Sequence, residues 1–156
     1  MCGHRPPWIV DDHYQWVWVY VAIAPGTGEC CCLLLPHVDT ICRDVFLETV
    51  RREWPDGRIG LVRDGSGSHR SDAVHWPDGI VPVRLPPDSP ELNPAEQVFR
   101  HLRKRLANRI FATIGEVEDA LLKEMQRLGA HPKVVTRMTN YPWWRKGVNA
   151  ITSSLS

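Results

Sequence analysis

The feature that most constrains this chain is a pair of apolar runs joined by a four-residue turn. Residues 14–24 (YQWVWVYVAIA) are rich in aromatic and β-branched types, which pack well on a pleated surface, and read as a strand. Pro25-Gly26-Thr27-Gly28 makes the turn, residues 29–35 (ECCCLLL) the return strand, and Pro36 ends the hairpin. Successive side chains of a strand point to opposite faces, so Cys30, Cys31 and Cys32 cannot converge on one zinc ion. They read as small buried hydrophobes. Five cysteines with no CxxC pair and no secretory signal predict reduced thiols in the cytoplasm.

The rest of the chain alternates helices with short strands. Asp39 or Thr40 caps a helix that runs to about Trp54, with its core stripe at 41, 42, 45, 46 and 50. Residues 58–63 (RIGLVR) form a short strand stopping at Asp64, and GSGSH (65–69) follows as a loop. Residues 72–76 read as one helical turn and 80–85 (IVPVRL) as a strand whose Pro82 suggests an edge. After the turn-rich PPDSPELNPAE, a long helix spans Pro94 to about Ile110, its buried stripe formed by Ala95, Phe99, Leu102, Leu106 and Ile110. Thr113 to Glu116 is a capping box for a further helix, with Val117, Leu121, Met125 and Leu128 inward and Gly129 as its stop. The remainder reads as a short helix and a loosely defined tail. Strands with a crossover helix predict one α/β domain over residues 1–156, a sheet with helices packed on it.

Composition excludes some classes and leaves others open. The chain is 43% hydrophobic and 24% charged, which suits a globular domain, and no window of 18 apolar residues can cross a membrane. The net charge of +1 is uninformative, but its distribution is not. Residues 1–78 carry 7 basic and 11 acidic side chains (net −4); residues 79–156 carry 12 and 7 (net +5). Arg100, Arg103, Lys104, Arg105 and Arg109 meet no acid between 97 and 110. Such a cluster either faces phosphates or is a solvated helix face.

Two acids carry the chemistry. Asp64 stands where an apolar strand gives way to a small-residue loop, a usual place for ligand chemistry in α/β folds. Glu96 lies 32 residues on, at a helix start signalled by Asn93 and Pro94. Read alone, each has a bland explanation: Asp64 in an Asx-turn, Glu96 as a helix cap beside the positive end of the dipole. His69 is either a loop cap or a group that contacts phosphate. Trp143 and Trp144 read as a pair split between core and surface.

Taken together, DGSGSHRS (64–71) and LPPDSPELNPAEQVFRHLRKRL (85–106) resemble the DDE transposases of bacterial insertion sequences in the mariner superfamily. The resemblance covers about residues 4–151, with Gly65 standing where the family usually has Asn. It implies an RNase H-like fold, a mixed sheet with flanking helices. It also implies Mg²⁺- or Mn²⁺-dependent DNA cleavage and strand transfer at transposon ends, with Asp64 and Glu96 as the second and third metal-holding acids. His69 and Asn93 support the site, and Arg100, Arg103, Lys104 and Arg109 contact DNA. Two ions about 3.5–4 Å apart can hold nucleophile and leaving oxygen in line. The family's first acid sits on a first, central strand that has no counterpart here, and its N-terminal helix-turn-helix domain is absent as well. The expected chain is therefore a partial catalytic domain, inactive alone, whose strands at 14–24 and 58–63 lack the neighbour between them. Asp11 and Asp12 are poorly placed substitutes for the missing acid. The resemblance further implies homo-oligomers in the full-length family, no membrane, and a place at the bacterial nucleoid. The alternatives are a non-catalytic DNA-binding or self-association remnant and an RNase H-like nuclease unrelated to transposition.

Overall fold

The computed structural model describes residues 16–63 and 74–155. Their elements run β1 (Trp18–Ala24), β2 (Glu29–Leu35), α1 (Thr40–Glu53), β3 (Ile59–Arg63), β4 (Ile80–Arg84), a 3₁₀ turn (Pro90–Leu92), α2 (Ala95–Leu106), α3 (Ile114–Ala130), α4 (Pro132–Thr139) and α5 (Pro142–Leu155). The chain is α/β, and none of the described helices is long and apolar enough to cross a membrane.

The predicted hairpin forms, with Trp18 opposite Leu35 and Ala24 opposite Glu29. Its turn closes when the amides of Thr27 and Gly28 both donate to the Ala24 carbonyl, at 3.2 and 2.8 Å. Alternation then sorts the side chains onto two faces. Val17, Val19, Val21, Ile23, Cys30, Cys32 and Leu34 pack with Val98 and Leu102 of α2, Met125 of α3 and Val135 of α4. Ala22 and Cys31 on the other face meet Val50 of α1, and Tyr20, Leu33 and Leu35 meet its Cys42 and Phe46. The three cysteines are buried and divided between the faces, as small hydrophobes of a covered strand.

β3 and β4 pair in parallel, Ile59 opposite Ile80 and Arg63 opposite Arg84, forming a second two-stranded sheet with Pro82 on its edge strand. Helix α1 bridges the two sheets. Its Val50 lies in one buried cluster with Ala22 and Cys31 of the hairpin and with Ile80, Ile59 and Leu61 of the parallel pair.

Several boundaries differ from the sequence reading. α1 begins as expected, with the Asp39 carboxylate accepting from the Cys42 amide at 2.8 Å, but Ile41 is 72% exposed and Leu47 takes an inward place instead. Residues 74–77 are not helical; 72 and 73 lie outside the described residues. α2 stops at Leu106 rather than Ile110, because Ala107 turns extended and Asn108 adopts φ 63°. Asparagine tolerates that left-handed geometry better than most residues. Ile110 is thereby thrown off the helix and stands 99% exposed, while Val98 joins the buried stripe. Thr113 caps α3, its hydroxyl accepting from the Glu116 amide at 3.2 Å, but the Glu116 carboxylate reaches back to the Ala112 amide at 2.8 Å rather than to Thr113, and α3 runs one residue past Gly129. The tail is a 14-residue helix started by Pro142, whose fixed φ suits a first helical position.

Candidate active site

Glu96 is placed by a tightly specified helix start. The Leu92 and Asn93 amides donate to the Ser89 and Pro90 carbonyls, closing the 3₁₀ turn. The Asn93 side-chain oxygen then accepts from the Ala95 amide at 3.0 Å, and its carbonyl from the Glu96 amide at 3.0 Å. Pro94 between them is helical at φ −58°. Asn93 is thus the working cap, and Glu96 occupies the third helical position near the positive end of the dipole.

The Glu96 carboxylate is one-third exposed, and its Oε2 lies 3.7 Å from the Arg103 guanidinium, two turns along the same stripe. Arg100, Arg103 and Lys104 are exposed on α2, and Leu102 is buried beneath them with Phe99 and Leu106 half-buried. Arg109, predicted on the helix, lies beyond it and stacks its guanidinium 5.0 Å from the Phe111 ring.

Asp64 and His69 lie outside the described residues. The strand that leads to Asp64 is firmly set: the Leu85 amide donates to the Arg63 carbonyl at 2.9 Å, carrying the parallel pairing to the last residue of β3. The Arg63 guanidinium lies 5.5 Å from the Trp76 ring, and its buried Nε has no partner among the described residues. A cavity of about 810 Å³ opens between the two sheets. Val62, two residues before Asp64, and Asn93, Pro94 and Ala95, directly before Glu96, line it together. Among the described residues no three metal-ligating side chains gather.

One organising residue escaped sequence reasoning. Glu124 of α3 takes His101 Nε2 at 2.8 Å, Arg105 at 3.4 Å and Arg127 at 3.8 Å. Burial by itself raises its pKa, but the His101 hydrogen bond and the Arg105 charge outweigh this and hold the carboxyl below the usual range. Arg105, read as part of an acid-free cluster, is therefore paired across the α2–α3 interface. No local pattern announces a partner nineteen residues away. Trp143 is 43% exposed and Trp144 half-buried, the expected division of the pair.

The family model for the DDE superfamily endonuclease matches residues 2–118. A relative in Sinorhizobium fredii, the uncharacterized protein y4pE/y4sA, is 36% identical over 105 residues, covering 66% of this chain and 78% of that protein. No solved structure matches.

Proposed function

This chain belongs to the DDE superfamily endonucleases, and from that premise we propose that it is the catalytic portion of an insertion-sequence transposase, acting on DNA at transposon ends. The observation that carries the reading is the shared cavity: the approach to Asp64 along β3 and the start of α2 just before Glu96 line one space. A one-third exposed carboxylate held only loosely, 3.7 Å from an exposed arginine, fits a hard-oxygen ligand for a divalent cation. Asp64 and Glu96 would hold Mg²⁺ or Mn²⁺, which supplies charge neutralisation at the scissile phosphate.

The chain's own residues have separate tasks in this reading. Asn93 fixes the helix start and with it the direction of Glu96. Arg100, Arg103, Lys104 and Arg109 contact DNA backbone, with Arg100 and Arg103 on the Glu96 stripe guiding it toward the acids. His69 steadies a phosphate. The two half-sheets with flanking helices form part of an RNase H-like fold. Two carboxylates leave a metal pair incompletely held, so the 156 residues bind the cation weakly and perform no strand transfer alone. Self-association and a place at the nucleoid complete the proposal. A second reading, a DNA-binding module without catalysis, draws on the exposure of the α2 cations, which requires no metal.

Two measurements test it. Each phosphate contact contributes about −0.9 to the slope of log affinity against log salt. Arg100→Ala with Arg103→Ala should flatten that slope by about 2, and an unchanged slope assigns the cluster to solvent. Mn²⁺ titration should show weak binding that Glu96→Gln and Asp64→Asn each remove; equal binding by both variants leaves only the non-catalytic module.

A further inference from the structure

We propose that the aromatic cluster at the start of α5 is a stacking platform for an unpaired DNA base. The Tyr141 and Trp143 rings are stacked, 22° apart with centroids at 5.7 Å, and Trp144 stands at 87° to Trp143 at 6.1 Å. The three rings form a step, a flat stack beside an upright wall. Trp143 is 43% exposed. The step is also rigidly mounted. Pro142 starts the helix between the two stacked residues, and the Tyr141 carbonyl accepts from the Arg145 amide at 3.1 Å. Rings already held in place lose little freedom when a further flat group joins them.

Charge points to the occupant. Residues 128–156 carry Lys133, Arg137, Arg145 and Lys146 and no acidic side chain. Arg145 and Lys146 are exposed, and Lys146 lies one turn from Trp143 on the same side of α5. Cations interleaved with aromatic rings suit a single strand: the cations follow its backbone, and the rings take bases, all of which present a π-face. In a duplex those faces are already stacked on one another. The other exposed residues beside Trp143, Pro142 and Gly147, add no Leu, Ile or Val that would widen the patch into an apolar protein-binding face.

Position ties the platform to Glu96. Trp144 lines the cavity that Asn93, Pro94 and Ala95, directly before Glu96, also line. A strand opened beside that carboxylate meets a ring surface in the same space. The cluster lies beyond residue 118, where the match to the family model ends. The inference rests on the reading of this chain as acting on DNA, and it adds the state of the strand that is held.

The test uses the full chain and three probes: a short oligothymidine, the same backbone without bases, and a duplex. Trp143→Ala should weaken oligothymidine binding about 5- to 150-fold, the scale of one base–aromatic stack, and leave the abasic backbone unaffected. Trp143→Phe keeps a ring and should restore part of the loss. Arg145→Ala and Lys146→Ala should each flatten the single-strand salt slope by about 0.7, which Trp143→Ala should not change. Trp16→Ala, at a 72% exposed tryptophan in the acidic half of the chain, should have no effect. Unchanged oligothymidine binding by Trp143→Ala, or an equal loss on the abasic backbone, overturns the proposal. So does a Trp143→Ala change confined to oligomeric state, which assigns the cluster to self-association. Duplex binding without single-strand binding overturns the platform alone and leaves the DNA reading standing; binding of neither overturns both.

Discussion

Gly28→Ala and Gly57→Ala differ in one physical respect, and the difference measures how firmly the hairpin is docked on α4. Both glycines have left-handed backbones, φ 78° and 72°. An alanine in that region costs about 1–2 kcal/mol, of which a narrowed unfolded state returns about 0.4–1 kcal/mol. At Gly57 a Cβ meets open space, so the net loss is about 1 kcal/mol. At Gly28 the same Cβ would sit 2.6 Å from the Pro132 carbonyl carbon and 2.8 Å from the Thr136 hydroxyl, and closer still to the Pro132 carbonyl oxygen. Carbon contacts are comfortable at about 3.5–4.0 Å, and the obstacle here is backbone, so the first turn of α4 must move. Overpacking of that kind adds about 1–3 kcal/mol, which brings Gly28→Ala to about 2–4 kcal/mol. Urea unfolding of the two variants reads the gap directly, and thermal midpoints should separate by about 2–4 °C per kcal/mol. Equal losses, within about 0.5 kcal/mol, would show that α4 does not press on the turn.

Glu124→Gln should destabilise the domain by about 1.5–3 kcal/mol, the scale of hydrogen bonds to a charged group. Because the folded carboxyl titrates below its ordinary value, its contribution is complete above the usual carboxylate range and fades as pH falls through the folded pKa. Denaturation at pH 7 and pH 3 should show the wild-type advantage shrinking with acid; an advantage that persists unchanged refutes the charge assignment. Burial pushes the Cys31 thiol up to about 12, and Cys32 higher still. Iodoacetamide at pH 8 should therefore leave both unmodified until urea is added, and mass spectrometry of the native protein finding either one labelled would contradict their burial.

Local signals were the ones that could be read in the sequence. The return strand 29–35, the Asp39 cap and the Thr113 cap each depend on residues within a few positions of one another, and each forms where expected. The end of α2 was missed because an apolar residue at 110 continued the helical period while Asn108 adopted a left-handed backbone. Arg105 meets no acid within its own segment, and its partner Glu124 comes from another helix. Of the candidate site, the helix start at Asn93–Glu96 was legible as a cap and is built as one. Its relation to β3 is implied by the resemblance alone and by no local pattern, since only tertiary packing brings Val62 and Ala95 to a common space.

The two strand pairs also form on different clocks. The antiparallel pair is closed by four residues, Pro25 to Gly28, and hairpins of that size form in about 1–10 μs. The parallel pair must first bring Ile80 back beside Ile59 after a sixteen-residue connection from Arg63, and its cover on α1 is also non-local. Closing such a loop costs entropy before any contact repays it. The hairpin with α1 thus forms the early unit, while β3 and β4 assemble upon it. In a chain emerging from the ribosome the same order is imposed by synthesis. When the domain loosens, the β3–β4 pair should open before the cysteine-filled hairpin, whose amides should be among the last to exchange with solvent.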